Sequence, residues 1–423
     1  MSGGGIRSGA VSLGAIQGIF ASHALLNYEF ISTVSGGGYP VYGLLDRMLR
    51  DEIALRTLLR ERSKYIRDVD RQAAFLGRAL RSLAVVTEPT ISVAMSWLSR
   101  AYGSAQPIYI SNIHLSFTGV ARPFFGEQLL QNARDVRRYG FPVPIFGTSA
   151  SIGPGQPRDD YDYHFEDFFE LSPAGSGAPR VGYFQSLGAE ITLSQAVAIS
   201  AAAIDAPPGN SQLPEIFKVL NIGLGGNFNA RGKDGNIVRF YLADGGFTEN
   251  LGLLPLLRRR CTEILAFDNS DEHPHPFQAW IKFSTRLATE EKGWSVRSEL
   301  RSATGDPVPA QADAGWHLPH HIWDAQLEHE SGSRVHVRLV KLGVSPQAFA
   351  NYPPAVRRFA EKTWAREEKQ TCRGAGLSRR CSFPLEATVR QSFRTDEFRA
   401  YRLLGSWLAT QALQTDPPTF DPR

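Results

Sequence analysis

Residues 30–37 read Phe-Ile-Ser-Thr-Val-Ser-Gly-Gly, and the break at Ser35 decides how the chain is read. Five β-prone residues, Phe30 to Val34, end on a serine that Gly36, Gly37 and Gly38 follow. A strand that turns sharply into a helix leaves the side chain at the turn exposed at the end of a sheet. A serine in that place forms a nucleophile elbow. Gly36 and Gly37 are small enough to allow the turn, and a second helix is expected over Val41–Leu58. The elbow pattern usually has glycine two residues before the serine, where this chain has Thr33. On the pattern alone, a plain glycine-rich turn fits as well.

Upstream lies Ser2-Gly3-Gly4-Gly5-Ile6-Arg7-Ser8-Gly9. It precedes a helical stripe of Val11, Leu13, Ile16, Ile19 and Phe20. Glycines let several backbone N–H groups converge on one spot, and a helix N-terminus adds positive potential there. Such a loop suits a phosphate or the oxyanion of an acyl-transfer transition state. A flexible terminal tail is the alternative.

Far downstream, a strand over Asn236–Leu242 runs into Asp244-Gly245-Gly246. A carboxylate delivered to a sheet edge and partly desolvated can take a proton directly from a serine, with no histidine between them. A turn aspartate capping the next segment is the other reading. Next comes Glu249-Asn250-Leu251-Gly252, where Asn250 either orients the aspartate loop or caps a helix over Leu251–Arg258.

Elsewhere, 51–105 is rich in Arg and Leu at helical spacing and reads as an inserted helical hairpin. Strands are expected over 107–120, 141–152 and Glu263–Phe267, and Arg334–Gly343 alternates like a half-buried strand. Residues 152–182 read as loop, and 270–333 as long loops with short helices. Helices fit Leu193–Ile204 and Phe398–Gln411. Strand and helix alternate, which favours an α/β class with a mostly parallel sheet between helices. A single domain is expected over 1–423, with insertions at 51–105 and 271–333 and a closing segment at 376–423.

Composition narrows the function classes. The 423 residues are 42% hydrophobic and 21% charged, so a sizeable core can form. Forty-six basic against 42 acidic residues is too balanced for nucleic acid. The net charge of +4 is compatible with weak attraction to an anionic membrane. The first ten residues hold no apolar signal core. The most apolar stretch, Leu83–Leu98, contains Glu88 and Pro89, so no spanning helix is expected. A cytoplasmic protein, peripheral at a membrane, is the reading that follows. Three cysteines, Cys261, Cys372 and Cys381, do not make a disulfide framework. His273 and His275, and His317, His320 and His321, lack a helix-borne ligand pattern, so neither a metal nor another cofactor is expected. Arg258, Arg259 and Arg260 suit the dipole at a helix end. Phe75, Leu76 and Trp97 fit a core stripe better than an interfacial face.

In this order the segments resemble a known family. SGGGIRSGAVSLGAIQGI, ISTVSGGGY and LADGGFTENLGLLPLLRRRC are similar to the bacterial branch of patatin-like phospholipases and to the catalytic domain of cytosolic phospholipase A2. NIHLSFTG, VAISAAAID and FPLEATVRQSFRTDEFRAYRLLG extend the resemblance over most of the chain. It implies a three-layer α/β/α fold and hydrolysis of acyl esters of lipids or phospholipids. It also implies a Ser–Asp dyad of Ser35 and Asp244, and an oxyanion hole from Gly3, Gly4 and Gly5. Arg7 corresponds to the basic residue of that loop, which contacts a headgroup or braces the site; a solvated surface charge is the other reading of Arg7. Gly36, Gly37, Gly245, Gly246 and Asn250 fall in supporting places.

Two departures stand out: Ser8 replaces a usual glycine, and residues 1–2 hold no counterpart of the strand that leads into the family's glycine loop. A version extended there by a β-prone segment is expected to be more stable and more active. The competing readings are a Ser–His–Asp α/β-hydrolase, which the early place of Ser35 disfavours, and a lipid-binding pseudoenzyme.

Overall fold

The computed structural model describes residues 1–71, 128–152, 167–184, 187–202, 225–231, 237–270, 275–309, 318–366, 383–386 and 393–418. In chain order the elements begin with helix α1 (Gly5–Ala21), strand β1 (Phe30–Val34) and helices α2 (Tyr39–Asp51) and α3 (Leu55–Leu59). Strands β2 (Val143–Ile152), β3 (Asp167–Leu171), β4 (Ser176–Ala178) and β5 (Gly182–Phe184) come next, then helix α4 (Leu193–Ser200). Strands β6 (Gly226–Arg231) and β7 (Ile237–Asp244), helix α5 (Leu254–Arg258) and strand β8 (Glu263–Asp268) follow. The last elements are α6 (Gln278–Glu290), β9 (Trp294–Arg301), β10 (Ile322–His329), β11 (Arg334–Lys341), α7 (Pro354–Arg366) and α8 (Thr395–Gln414).

Strand β2 organises the larger sheet, whose order is β5-β4-β3-β2-β7-β6, with β1 also on β2. One edge of β2 pairs with β3 from Phe146 to Ala150. Two strands share the opposite edge. β1 runs parallel along Val143–Gly147, and β7 runs antiparallel along Thr148–Ile152. They approach each other and stop at the same place, Val34 opposite Gly147 and Asp244 opposite Thr148. The carboxyl ends of β1 and β7 therefore meet head to head.

The second sheet has the order β8-β11-β10-β9. The first two residues lie between the sheets. The Met1 amine donates to the Ser32 carbonyl at 2.9 Å, and the Val34 N–H donates to the Met1 carbonyl at 3.0 Å. On the other side, the Ser2 N–H donates to the Phe267 carbonyl at 2.9 Å.

The expected mostly parallel sheet is not what the described strands form. Of their nine pairings, only β1 with β2 and β8 with β11 are parallel. Strands and helices do alternate, but that pattern cannot separate a crossover from a long-range antiparallel pairing. The region 152–182, read as loop, contributes β3 and β4. The region 270–333, also read as loops, holds α6, β9 and β10. Ala279, Trp280, Phe283 and Leu287 of α6 are buried on one face, so its helical spacing was present in the sequence. Strand β9 is an edge, half-exposed and rich in Ser, Arg and Glu, and carries little alternation. The helix expected over Val41–Leu58 breaks at Glu52, whose φ of 52° lies in the left-handed region. Most of the expected hairpin, the strand over 107–120, and Phe75, Leu76 and Trp97 lie outside the described residues.

Helix α1 shows no polar face. Every residue from Gly5 to Ile19 is buried, because α8 covers the side that a surface helix would leave wet. Its glycines permit this contact: a Cβ on Gly14 would stand 1.8 Å from the Arg402 carbonyl oxygen of α8. Buried Arg402 also pairs with Asp70 at 2.8 Å and Glu61 at 2.6 Å, and donates to Gln17 on α1. Alanine is the better helix former by about 1 kcal/mol, but the steric overlap outweighs that gain. Gly14→Ala is therefore expected to destabilise the protein by roughly 1–3 kcal/mol or more. The midpoint of urea unfolding measures this, and an unchanged or raised midpoint would contradict the close packing of α1 on α8.

Candidate active site

The head-to-head ends of β1 and β7 bring Ser35 and Asp244 together, 209 positions apart in sequence (244 − 35). Ser35 has φ = 51°, a left-handed conformation that a non-glycine residue adopts only under strain. Its hydroxyl lies close enough to the Asp244 carboxylate to favour the ionised form. The Ser35 N–H donates to the Ser200 hydroxyl at 3.0 Å, and that hydroxyl donates to the Gly147 carbonyl at 2.6 Å. Ser200, the last residue of α4, thus clips the strained turn to the middle of β2.

The glycine loop packs directly onto the turn. A Cβ on Gly36 would lie 2.0 Å from the Gly5 carbonyl oxygen, and one on Gly37 would lie 2.6 Å from that of Met1. No side chain fits between the two backbones. Gly4 and Gly5 have φ of 140° and 61°, which glycine alone adopts without strain. Their N–H groups have no hydrogen-bond partner among the described residues. They lie at the positive end of the 17-residue helix α1. Gly3 behaves differently from the expectation. Its N–H is taken by Asn250, with the carbonyl at 3.3 Å and Oδ1 at 3.1 Å. Asn250 therefore bonds to the glycine loop, where the sequence suggested the aspartate loop.

Arg7 is 1% exposed, which overturns a solvated surface charge. Its guanidinium donates to the carbonyls of Glu386 and, at 2.8 Å, Asn269. Asn269 gathers the rest of the loop. Its N–H donates to Ser2 Oγ at 2.7 Å and its amide to Ser8 Oγ at 3.1 Å, while Ser8 Oγ donates to the Ser2 carbonyl at 2.6 Å. Ser8, where the family pattern has glycine, thus ties the loop down. Lys341 and Asp268, both fully buried, pair at 2.7 Å beside this turn.

Around Asp244, one carboxylate oxygen accepts the Gly246 N–H at 2.8 Å. Ser149 Oγ donates to the Asp244 carbonyl at 2.7 Å and contacts Thr248 Oγ1 at 2.8 Å. Glu249 is buried, and its carboxylate accepts the N–H groups of Leu251, Gly252 and Leu253. Gly245 packs on the Gly147 carbonyl, where a Cβ would come within 2.5 Å.

Burial pushes the Asp244 carboxyl up from 3.8 to about 6, against the opposing pull of the Gly246 N–H and the Ser35 hydroxyl. Keeping it ionised at neutral pH costs roughly 3 kcal/mol. Glu249 is likewise raised by burial, against the N–H groups it accepts.

Sequence reasoning missed Ser200, Ser149 and Asn269. Each acts through hydrogen bonds to distant backbone, which local pattern does not encode, although Ser200 lies inside the quoted VAISAAAID. His320, His321, His329 and His336 direct ring nitrogens at Asp306, at Lys341 and Tyr352, at Ser331, and at Glu263 and Asp324. No cluster of three or more His, Cys, Asp or Glu able to hold a metal occurs among the described residues. Cys261 is unpaired, and Cys372 and Cys381 lie outside the described residues. No described helix is long and apolar enough to cross a membrane.

No protein-family model and no curated protein matches the chain. Solved structures do. Human GIVD cytosolic phospholipase A2 superposes with a TM-score of 0.59 at 14% identity, over 98% of this chain and 59% of that one. The same human protein in complex with methyl gamma-linolenyl fluorophosphonate gives 0.54 at 13% identity, over 98% and 57%. With that inhibitor and terbium chloride it gives 0.55 at 14%, over 98% and 58%. The fold is thus phospholipase A2-like, and the chain spans a little under three-fifths of those chains.

The raised Asp244 carboxyl fixes a sign. A folded-state pKa above the unfolded value stabilises the fold fully below the unfolded pKa, and that contribution is lost as pH rises through the folded pKa. Asp244→Asn removes the cost of a buried charge. Its melting temperature should therefore exceed that of the unchanged protein at neutral pH, by a few degrees, and converge with it below pH 3.8. Scanning calorimetry of both proteins across pH checks this, and an equal gap at all pH values would contradict it.

Proposed function

We propose that the chain is a serine acylhydrolase of the patatin and cytosolic phospholipase A2 kind, a carboxylic ester hydrolase acting on lipid or phospholipid acyl esters. The observation that carries the proposal is the strained Ser35 beside a buried Asp244 whose carboxyl is pushed up to about 6, with the serine hydroxyl favouring its ionised form. A structural serine has no need of a left-handed turn, and a structural aspartate has no need of so large a desolvation.

In this reading Asp244 takes the Ser35 proton as the hydroxyl attacks the ester carbonyl. The N–H groups of Gly4 and Gly5 receive the oxyanion, being unspent and held by φ values that glycine permits. Gly3 contributes by anchoring the loop through Asn250. As the tetrahedral intermediate collapses, the alcohol leaves with the proton from Asp244. Water, deprotonated by the same carboxylate, then releases the acyl group. Arg7 and the Gly36, Gly37, Gly245 and Gly246 contacts brace the two loops. The reading carries with it one domain over 1–423, the three-layer family arrangement and peripheral action at a membrane.

A Ser–His–Asp triad is disfavoured because the meeting ends of β1 and β7 bring Asp244 directly to Ser35. The pseudoenzyme reading shares the fold, and activity separates the two. The unchanged protein should hydrolyse a short-chain p-nitrophenyl ester and take a fluorophosphonate label, and Ser35→Ala should lose both, activity by about 10³-fold or more. A base must be ionised, so kcat/KM should rise with pH and level off above about 6. No substitution of His320, His321 or His336 should abolish turnover without unfolding the protein. Turnover retained by Ser35→Ala would remove the nucleophile assignment, and an inert, unlabelled but folded protein would favour the pseudoenzyme.

A further inference from the structure

Beside the glycine loop, the carboxyl ends of β8 and β11 lie next to each other, with Asp268 opposite Lys341 in parallel register. Both side chains are fully buried. The Lys341 ammonium donates to Asp268 Oδ2 at 2.7 Å, to Ser270 Oγ at 3.0 Å and to the Ser270 carbonyl at 3.5 Å. The other carboxylate oxygen, Oδ1, accepts the Ser270 N–H at 3.0 Å and the Ser270 hydroxyl. The Leu342 N–H donates to the Asp268 carbonyl at 2.9 Å. The turn by which the chain leaves β8 is thus gripped at both ends, Asp268 and Ser270, with Asn269 between them.

Asn269 addresses the glycine loop through its N–H, its carbonyl and its side-chain amide. The N–H donates to Ser2 Oγ at 2.7 Å, and the carbonyl accepts from Arg7 at 2.8 Å. The amide nitrogen donates to Ser8 Oγ at 3.1 Å and to Ser12 Oγ at 3.4 Å. The carbonyl also packs on Gly4, where a Cβ would come within 3.0 Å of it. Asn250 holds the loop at Gly3. Asn269 holds it at Ser2, Arg7 and Ser8, on both sides of the Gly4 and Gly5 N–H groups.

A buried ion pair is a costly way to make a turn stable. Both charges lose their water, and an apolar pair of similar volume is often as stable or more so. What the pair supplies is direction. An ammonium has three donors and a carboxylate about four acceptor sites, enough to fix several points of a turn at once. Oxyanion donors need such support, because their position must be held to within about 0.5 Å. We infer that Lys341 and Asp268 are positioning residues for the reaction: through Asn269 they set where the Gly4 and Gly5 N–H groups point. The inference rests on the acylhydrolase reading of those two groups.

The test compares the full unchanged chain with the double variant Asp268→Asn/Lys341→Met and with Asn269→Ala. The double variant removes both charges together, so no lone charge stays buried. Hydrogen exchange followed by mass spectrometry reads residues 2–9 and 30–38, alongside the melting temperature and kcat and KM on the p-nitrophenyl ester. In both variants exchange over 2–9 should quicken by about tenfold or more, while 30–38 keeps its rate and the fold still melts cooperatively. The kcat should fall by about tenfold or more, within the loss expected of a displaced oxyanion donor. KM should change by less than about twofold, and the rise of kcat/KM near pH 6 should remain, because Asp244 is untouched. Unchanged exchange over 2–9, or a loosened loop with unchanged kcat, would overturn the inference. So would quickened exchange in both segments with a matching loss of melting temperature, which marks a purely structural pair. Should the double variant fail to fold, Asn269→Ala decides by the same readings. An unchanged protein that does not hydrolyse the ester would count against the acylhydrolase reading, and exchange over 2–9 would then decide whether the pair holds the loop.

Discussion

The site depends on one constraint: a single edge of β2 serves two strands. β1 and β7 run toward each other along it and end at Gly147 and Thr148. Neither can extend without displacing the other, so each must leave the sheet at the same place. One leaves as Ser35 and the other as Asp244. The nucleophile–base geometry proposed here therefore follows from strand pairing, and the loops need only hold it.

Holding it requires close backbone contact. The glycine loop, the serine turn and the start of the aspartate loop touch through main chain at Gly36, Gly37 and Gly245. The hydroxyls of Ser200, Ser149, Ser2 and Ser8 and the Asn269 amide then satisfy the buried backbone groups that such contact creates. A buried polar group left unpaired would cost roughly 1–3 kcal/mol, so these short side chains are as necessary as the glycines. The fold also carries two unfavourable features, a left-handed Ser35 and a desolvated Asp244. Both are tolerated because the surrounding lattice over-determines them.

Much of this was legible in the sequence. Phe30–Val34 with Ser35, the glycine-rich start and the Asp244 loop each announce a turn that small or polar residues must make. The elements near them fell within a few residues of expectation: β2, α4, β7, β8, β11 and α8. What failed did so for physical reasons. Sheet direction was misjudged because a strand's own residues do not say which way its neighbour runs. The stretch 270–333 was read as loop because β9 is a polar edge strand, although α6 did carry a helical apolar spacing.

By itself, then, the sequence singled out the residues to which the chemistry is assigned in the proposal, since glycine, serine and aspartate in those orders suit the tight turns they form. The tertiary structure alone decided who meets whom. It joined Ser35 to Asp244 across 209 positions (244 − 35) through the shared edge of β2. It diverted the Gly3 N–H to Asn250 while leaving those of Gly4 and Gly5 unspent, and it turned Arg7 from a possible surface charge into a buried brace. Those outcomes depend on backbone groups brought together from distant parts of the chain, and backbone groups are the same in every residue.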